Sequence, residues 1–121
     1  MLKHAIPVLH VEPIDRAKDF YRTLGFEEIF AYRFDGRQSD PCYMGLRREG
    51  VTIHVSSFLG DGVAGGVVFI VVDDVDALYE ELMERRISIS LPPTDQSWGN
   101  REMYITDPNG NSLRFVHGGD R

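Results

Sequence analysis

One order of elements occurs twice in this chain, about 61 residues apart. That internal repeat restricts the folds open to it more than any other feature. In the first copy Ala5–Val11 alternates as a strand, with Ile6, Val8 and His10 on one side and Pro7, Leu9 and Val11 on the other. Pro7 cannot donate to a ladder, so this strand is expected to have a free edge near its start. Pro13 then opens a helix whose apolar stripe is Ile14, Ala17, Phe20, Tyr21 and Leu24, and Gly25 stops it. Strands are expected over Phe26–Phe34, Cys42–Leu46 and Val51–Phe58, with turns at Asp35–Pro41 and Arg47–Gly50.

Leu59–Gly66 holds four glycines and reads as a linker, after which the pattern restarts. Val67–Val72 is a strand; Val75, Leu78, Tyr79, Leu82 and Met83 form the buried stripe of a helix ending near Arg86. Ile87–Leu91 is expected as a short strand and Pro92–Trp98 as a loop. A hairpin follows: Arg101–Thr106, the turn Asp107-Pro108-Asn109-Gly110, and Ser112–His117. Val72 falls on Val11, Val75 on Ile14 and Asp76 on Asp15, so the strand–helix junctions coincide without a gap. The expected architecture is α+β, two βαβββ modules (1–58 and 67–117, linker 59–66) in a single domain. Each module is too small to stand alone and must pack on the other or on a second chain.

A net charge of −6 over 121 residues argues against a nucleic-acid partner, whose phosphates require a basic face. No stretch approaches the roughly 20 apolar residues of a membrane span, and no address is legible at the start, so a cytoplasmic location is expected. The single cysteine, Cys42, excludes an internal disulfide and reads as a small core residue.

Two βαβββ units joined by a Gly-rich link, with Trp98-Gly99-Asn100-Arg101-Glu102 leading into Asp107-Pro108-Asn109-Gly110-Asn111, resemble the vicinal oxygen chelate superfamily. That superfamily includes glyoxalase I, extradiol dioxygenases and the bleomycin-resistance proteins. The resemblance implies paired modules forming a cup, in which the enzymes hold a divalent ion with His or Glu. The matching positions here are Ile6, His54, Val67 and Arg114. Ile6 and Val67 have no donor atom, Arg114 is a permanent cation, and one histidine is not a site. No metal and no cofactor are therefore expected.

The metal-free members most similar to this pattern are the bleomycin-resistance proteins. They imply a homodimer whose grooves sequester a flat, partly cationic ligand between two aromatic rings, without chemistry. Trp98 matches the stacking tryptophan of that group, and Phe34, or Tyr32 with a small shift of the gap, is its partner. The expected small-molecule site is Trp98, Phe34, Tyr32, His10, His54 and Arg114, with Met103 or Tyr104 on the wall according to which face of their strand points inward. Each has an ordinary alternative. Trp98, Phe34 and Tyr32 could be core aromatics, and His10 and His54 could be structural. Arg114 either meets an anionic group or pairs with Glu102 across the hairpin. Arg101 and Glu102 read as solvent face or salt bridge, the Asp73, Asp74 and Asp76 run as helix capping, and Asp107 as closing its own turn. The rival function is a metal-dependent lyase, isomerase or dioxygenase built on His10 and His54. A metal-free enzyme with a histidine base is a third.

Overall fold

The computed structural model describes residues 1–36 and 40–118. The first module contains β1 (Val8–His10), α1 (Ile14–Thr23), β2 (Glu27–Arg33), β3 (Cys42–Arg48) and β4 (Val51–Ser56). The second contains β5 (Val67–Val71), α2 (Val75–Glu84), β6 (Leu91–Asp95), β7 (Asn100–Thr106) and β8 (Ser112–Gly118). Each builds a four-stranded sheet of the same topology, β1-β4-β3-β2 and β5-β8-β7-β6, with the first strand parallel to the last. The repeat in the sequence is thus a repeat in space, and β1, which carries no proline within it, lies at a sheet edge.

Strand alternation sends one side of each sheet into a shared core. Leu9, Met44, Leu46, Ile53 and Val55 from sheet one are buried with Val68, Ile70, Met103, Ile105, Leu113 and Phe115 from sheet two. Ile14, Ala17, Tyr21 and Leu24 of α1 join them, and Gly25 ends the helix at a φ of 88°. In α2, Val75 and Leu82 are buried but Met83 is 48% exposed, so the apolar stripe is narrower than expected. Asp74 caps α2 by accepting from the backbone N–H of Asp76 and Ala77. Cys42 is fully buried.

Two elements differ from expectation. The segment read as a loop after Leu91 is strand β6, and the short strand expected over Ile87–Leu91 is largely absent. Pro92 and Pro93 are accommodated because β6 is an edge strand, whose outer N–H positions need no partner, and the register shifts between Leu91 and Thr94. β2 ends at Arg33 and turns into a short 3-10 helix over Phe34–Gly36; the turn expected over Asp35–Pro41 lies partly outside the described residues.

The modules are fastened through the β7–β8 turn. The Asp107 carboxylate accepts from the backbone N–H of Asn109 and Asn111, from Asn111 Nδ2 at 2.9 Å and from the Tyr21 hydroxyl at 2.8 Å. Asn111 uses all its capacity: Oδ1 accepts from Gly65 and Gly66 N–H, and Nδ2 also donates to the His10 carbonyl. Tyr21 is wholly buried, and burial together with the Asp107 charge pushes its hydroxyl far above the ordinary phenol range, so it stays a donor. Tyr21→Phe removes one donor to a carboxylate that keeps three others, and should cost about 1–3 kcal/mol by urea unfolding. Asn111→Ala should cost more, because two linker N–H groups and the His10 carbonyl lose their partner together. Equal stability of Asn111→Ala and the native chain would show that the turn does not join the modules.

Candidate functional site

The other side of each sheet is open, and the ladders state which residues share it. In sheet one Val8, His54, Gly45 and Phe30 lie in one cross-strand row, with Tyr43 and Tyr32 in the next. His10 lies on the same face. Gly45 is required by a close approach: a side chain there would run into the Phe30 ring that lies across it. Phe30 and Tyr43 stack at 6.1 Å, and both meet the His54 ring edge-on at 5.2 Å. His54 Nδ1 and the Tyr43 hydroxyl share a hydrogen bond of 2.7 Å. Further along, Tyr32 stacks on Phe58 at 6.0 Å. His10 Nδ1 lies 3.2 Å from the Asp61 carbonyl, and the Asp61 carboxylate accepts from Ser56.

On sheet two Phe69, Arg114 and Tyr104 form one row, and Val71, Val116 and Glu102 the next. The Arg114 guanidinium lies 4.7 Å from the centre of the Tyr104 ring, a cation–π contact. Its Nε is buried without a partner among the described residues. Of the two expected readings of Arg114, the structure bears on the pairing with Glu102. Arg114 makes no ion pair with Glu102, yet its charge is near enough to help hold that carboxylate down.

Trp98 sits in the tight turn Gln96–Gly99 between β6 and β7, closed by Gly99 N–H to Gln96 O at 3.0 Å and Gln96 N–H to Asn100 O at 2.8 Å. Gly99 takes a φ of 99°, which favours glycine. The indole is 61% exposed, so it is no core residue of this chain, and its Nε1 donates to Glu102 at 2.8 Å. Glu102 itself is 2% exposed. Burial alone would raise its carboxyl, but hydrogen bonds from Tyr104, Trp98 and Asn100 and the Arg114 charge outweigh that and hold it below the ordinary range.

Several expected site residues therefore lie on the open faces: Tyr32, His10 and His54 on sheet one, Arg114 on sheet two, and Trp98 at the end of sheet two. Phe34 is 46% exposed beyond the end of β2. Met103 is a correction. It pairs with Phe115 and is fully buried, because odd-numbered residues of β7 face the core while Glu102 and Tyr104 face outward. Glu102 is the other correction: expected as solvent face or salt bridge, it is buried and accepts hydrogen bonds from Trp98 and Tyr104. Phe30, Tyr43 and Phe69 were also missed, since strand aromatics carry no sign of which face they take. Arg101 is the salt bridge of the two readings, bound to Asp76 through two contacts of 2.9 Å and to Asp95 at 3.1 Å.

Two clefts are found among the described residues. A cleft of about 450 Å³ between the modules is lined by Phe26, Arg48, Val51, Ile70, Leu78 and Phe115, and one of about 330 Å³ by His4, Ile6, Arg47 and Thr52. Neither includes Trp98, His54 or Arg114. The four positions matching the family's metal cup also fail the test of chemistry. Ile6 and Val67 supply no donor and Arg114 is cationic, which leaves His54 as a single ligand, and one ligand is not a site. Among the described residues no three His, Cys, Asp or Glu side chains cluster to hold an ion.

The two stacked modules and their open faces define the class. A family model described as "Glyoxalase superfamily protein" matches residues 1–120, and the chain belongs to that superfamily. Among solved structures it is similar to a bleomycin-binding protein crystallised with bleomycin, at 23% identity and a TM-score of 0.77 over 97% of this chain and 99% of that one. The bleomycin resistance determinant encoded on transposon Tn5 gives 23% identity and a TM-score of 0.77 over 98% and 99%. TnmS3, an antibiotic binding protein from Streptomyces sp. CB03234, gives 22% and 0.76 over 98% of both chains. Among curated protein sequences none is significantly similar.

Burial pulls the His54 ring below its ordinary value of 6.5. The folded state therefore favours the neutral imidazole, and just below that value the unfolded chain binds more protons. This contribution is fully present above 6.5 and is lost as the pH falls through the lower folded value. His54→Gln should flatten the loss of stability between about pH 7.5 and pH 5, read by thermal unfolding at each pH. An unchanged slope would mean that His54 titrates as if in water.

Proposed function

We propose that this chain is a metal-free binding protein of the bleomycin-resistance type, which sequesters an aromatic drug-like or natural-product ligand in grooves completed by a second copy. The observation that carries the reading is the chemistry of the open faces. Tyr32 is 59% exposed, Val67 55%, Phe69 52%, Val71 72% and Trp98 61%. A monomer seldom leaves so many large apolar side chains together in water. Setting sheet one of one copy against sheet two of another covers both faces, and two-fold symmetry then makes two equal grooves. Each groove has Phe34 and Tyr32 from one copy and Trp98 from the other to grip a flat ring, with His10, His54 and Arg114 as polar contacts. The antibiotic-binding relatives of the same fold support this reading. The donor-poor cup argues against the metal-dependent lyase, isomerase or dioxygenase alternative.

Trp98 is the sole tryptophan, so its fluorescence reports on this site alone. Bleomycin added to the protein should change the emission saturably, at one ligand per chain. Trp98→Ala, followed by calorimetry, should weaken binding roughly tenfold. Sedimentation should give a dimer. A monomer, or a transition ion retained through dialysis and held by three side chains, would overturn the reading.

A further inference from the structure

We infer that Glu102 is a positioning residue. It fixes the Trp98 indole in one orientation before any ligand arrives, so that the ring offers its face and not its N–H. The consequence for ligand rests on the proposed binding function; the restraint itself does not.

An indole 61% exposed on a four-residue turn would ordinarily sample several rotamers. Here its N–H is committed to Glu102 Oε2 at 2.8 Å. The acceptor is itself immobile for three reasons. It is 2% exposed on a strand paired on both sides, with Thr94 and Val116 opposite. Its second oxygen accepts the Tyr104 hydroxyl at 2.6 Å, and Asn100 Nδ2 lies 3.4 Å from the first. Tyr104 is in turn covered by the Arg114 guanidinium. The chain of contacts Trp98–Glu102–Tyr104–Arg114 runs from the turn to the middle of the open face. A ligand that stacks on a ring already held does not have to freeze it, and affinity gains by that amount. With its donor consumed, Trp98 discriminates for planar, polarisable or cationic groups and not for hydrogen-bond acceptors.

The test uses the unliganded protein. In Glu102→Leu the carboxylate is replaced by an apolar group of similar length. Trp98 is exposed and Tyr104 part-exposed, so both can turn their donors to water. The one buried donor that loses an acceptor is Asn100 Nδ2, whose contact is already long at 3.4 Å, so the fold should persist. Acrylamide quenching of Trp98 should rise and its fast anisotropy decay should gain amplitude. Glu102→Gln, which keeps one carbonyl acceptor without the charge, should lie between. Should the leucine variant fail to fold, the native protein answers alone: its single indole N–H should exchange with water about tenfold more slowly than free tryptophan. Quenching and anisotropy unchanged in a folded Glu102→Leu, or indole exchange at the free rate, would overturn the proposal. Because no ligand is present, either result is separate from whether the protein binds bleomycin.

Discussion

A buried carboxylate holds this structure together. Asp107 could not be left in the interior unpaired, since desolvating a charge costs far more than one hydrogen bond returns. Four donors meet it, two from its own turn, one from Asn111 and one from Tyr21 of the other module. Placing Tyr21 fixes α1, and placing Asn111 fixes both the linker end at Gly65–Gly66 and the His10 carbonyl on β1. The relation between the two sheets, set broadly by their shared core, is thus fixed in detail by one five-residue turn. Arg48, which donates to the Leu24 carbonyl and to Glu81 of α2, ties the modules again at a second point. That pair is part-exposed and so screened by solvent, and it is the weaker tie.

The same strand that enters this turn also carries the site. Along β7 the odd-numbered Met103 and Ile105 seal the core, while Glu102 and Tyr104 stand on the open face. A shift of one residue would exchange the two sets, burying a carboxylate in hydrocarbon and exposing two core residues. Asp107 at one end of β7 and the Gln96–Gly99 turn at the other set that register. The clamp between modules and the orientation of Trp98 are therefore linked through a single pleated segment.

The element order was legible because it occurs twice, and each copy checks the other: Val11–Ile14 and Val72–Val75 carry the same junction. The buried face of α1 followed from the helical stripe of Ile14, Ala17, Tyr21 and Leu24. β6 was not legible, because Pro92-Pro93 is a loop signal wherever the strand's outer side is unknown, and edge position is a tertiary fact. Met103 was misplaced for a related reason. The sequence states that 102 and 103 face opposite ways, but not which way is inward. Trp98 was visible by its polar setting. Its partner Glu102 was not, since a carboxylate in a strand usually means water.

On the proposed reading, the grip on a ligand comes from how the polar groups of the open faces hold the rings around them. His54 shares its Nδ1 with Tyr43, and Glu102 is saturated by Tyr104, Trp98 and Asn100. Arg114 lies against an aromatic face. Through these contacts Phe30, Tyr43, Tyr104 and Trp98 present surfaces whose geometry is set in advance, with His54 and Arg114 beside them as the polar contacts of the groove. Such an arrangement lowers the entropic cost of binding a flat molecule. On that reading the polar residues of the open faces both set the aromatic rings and meet the ligand beside them.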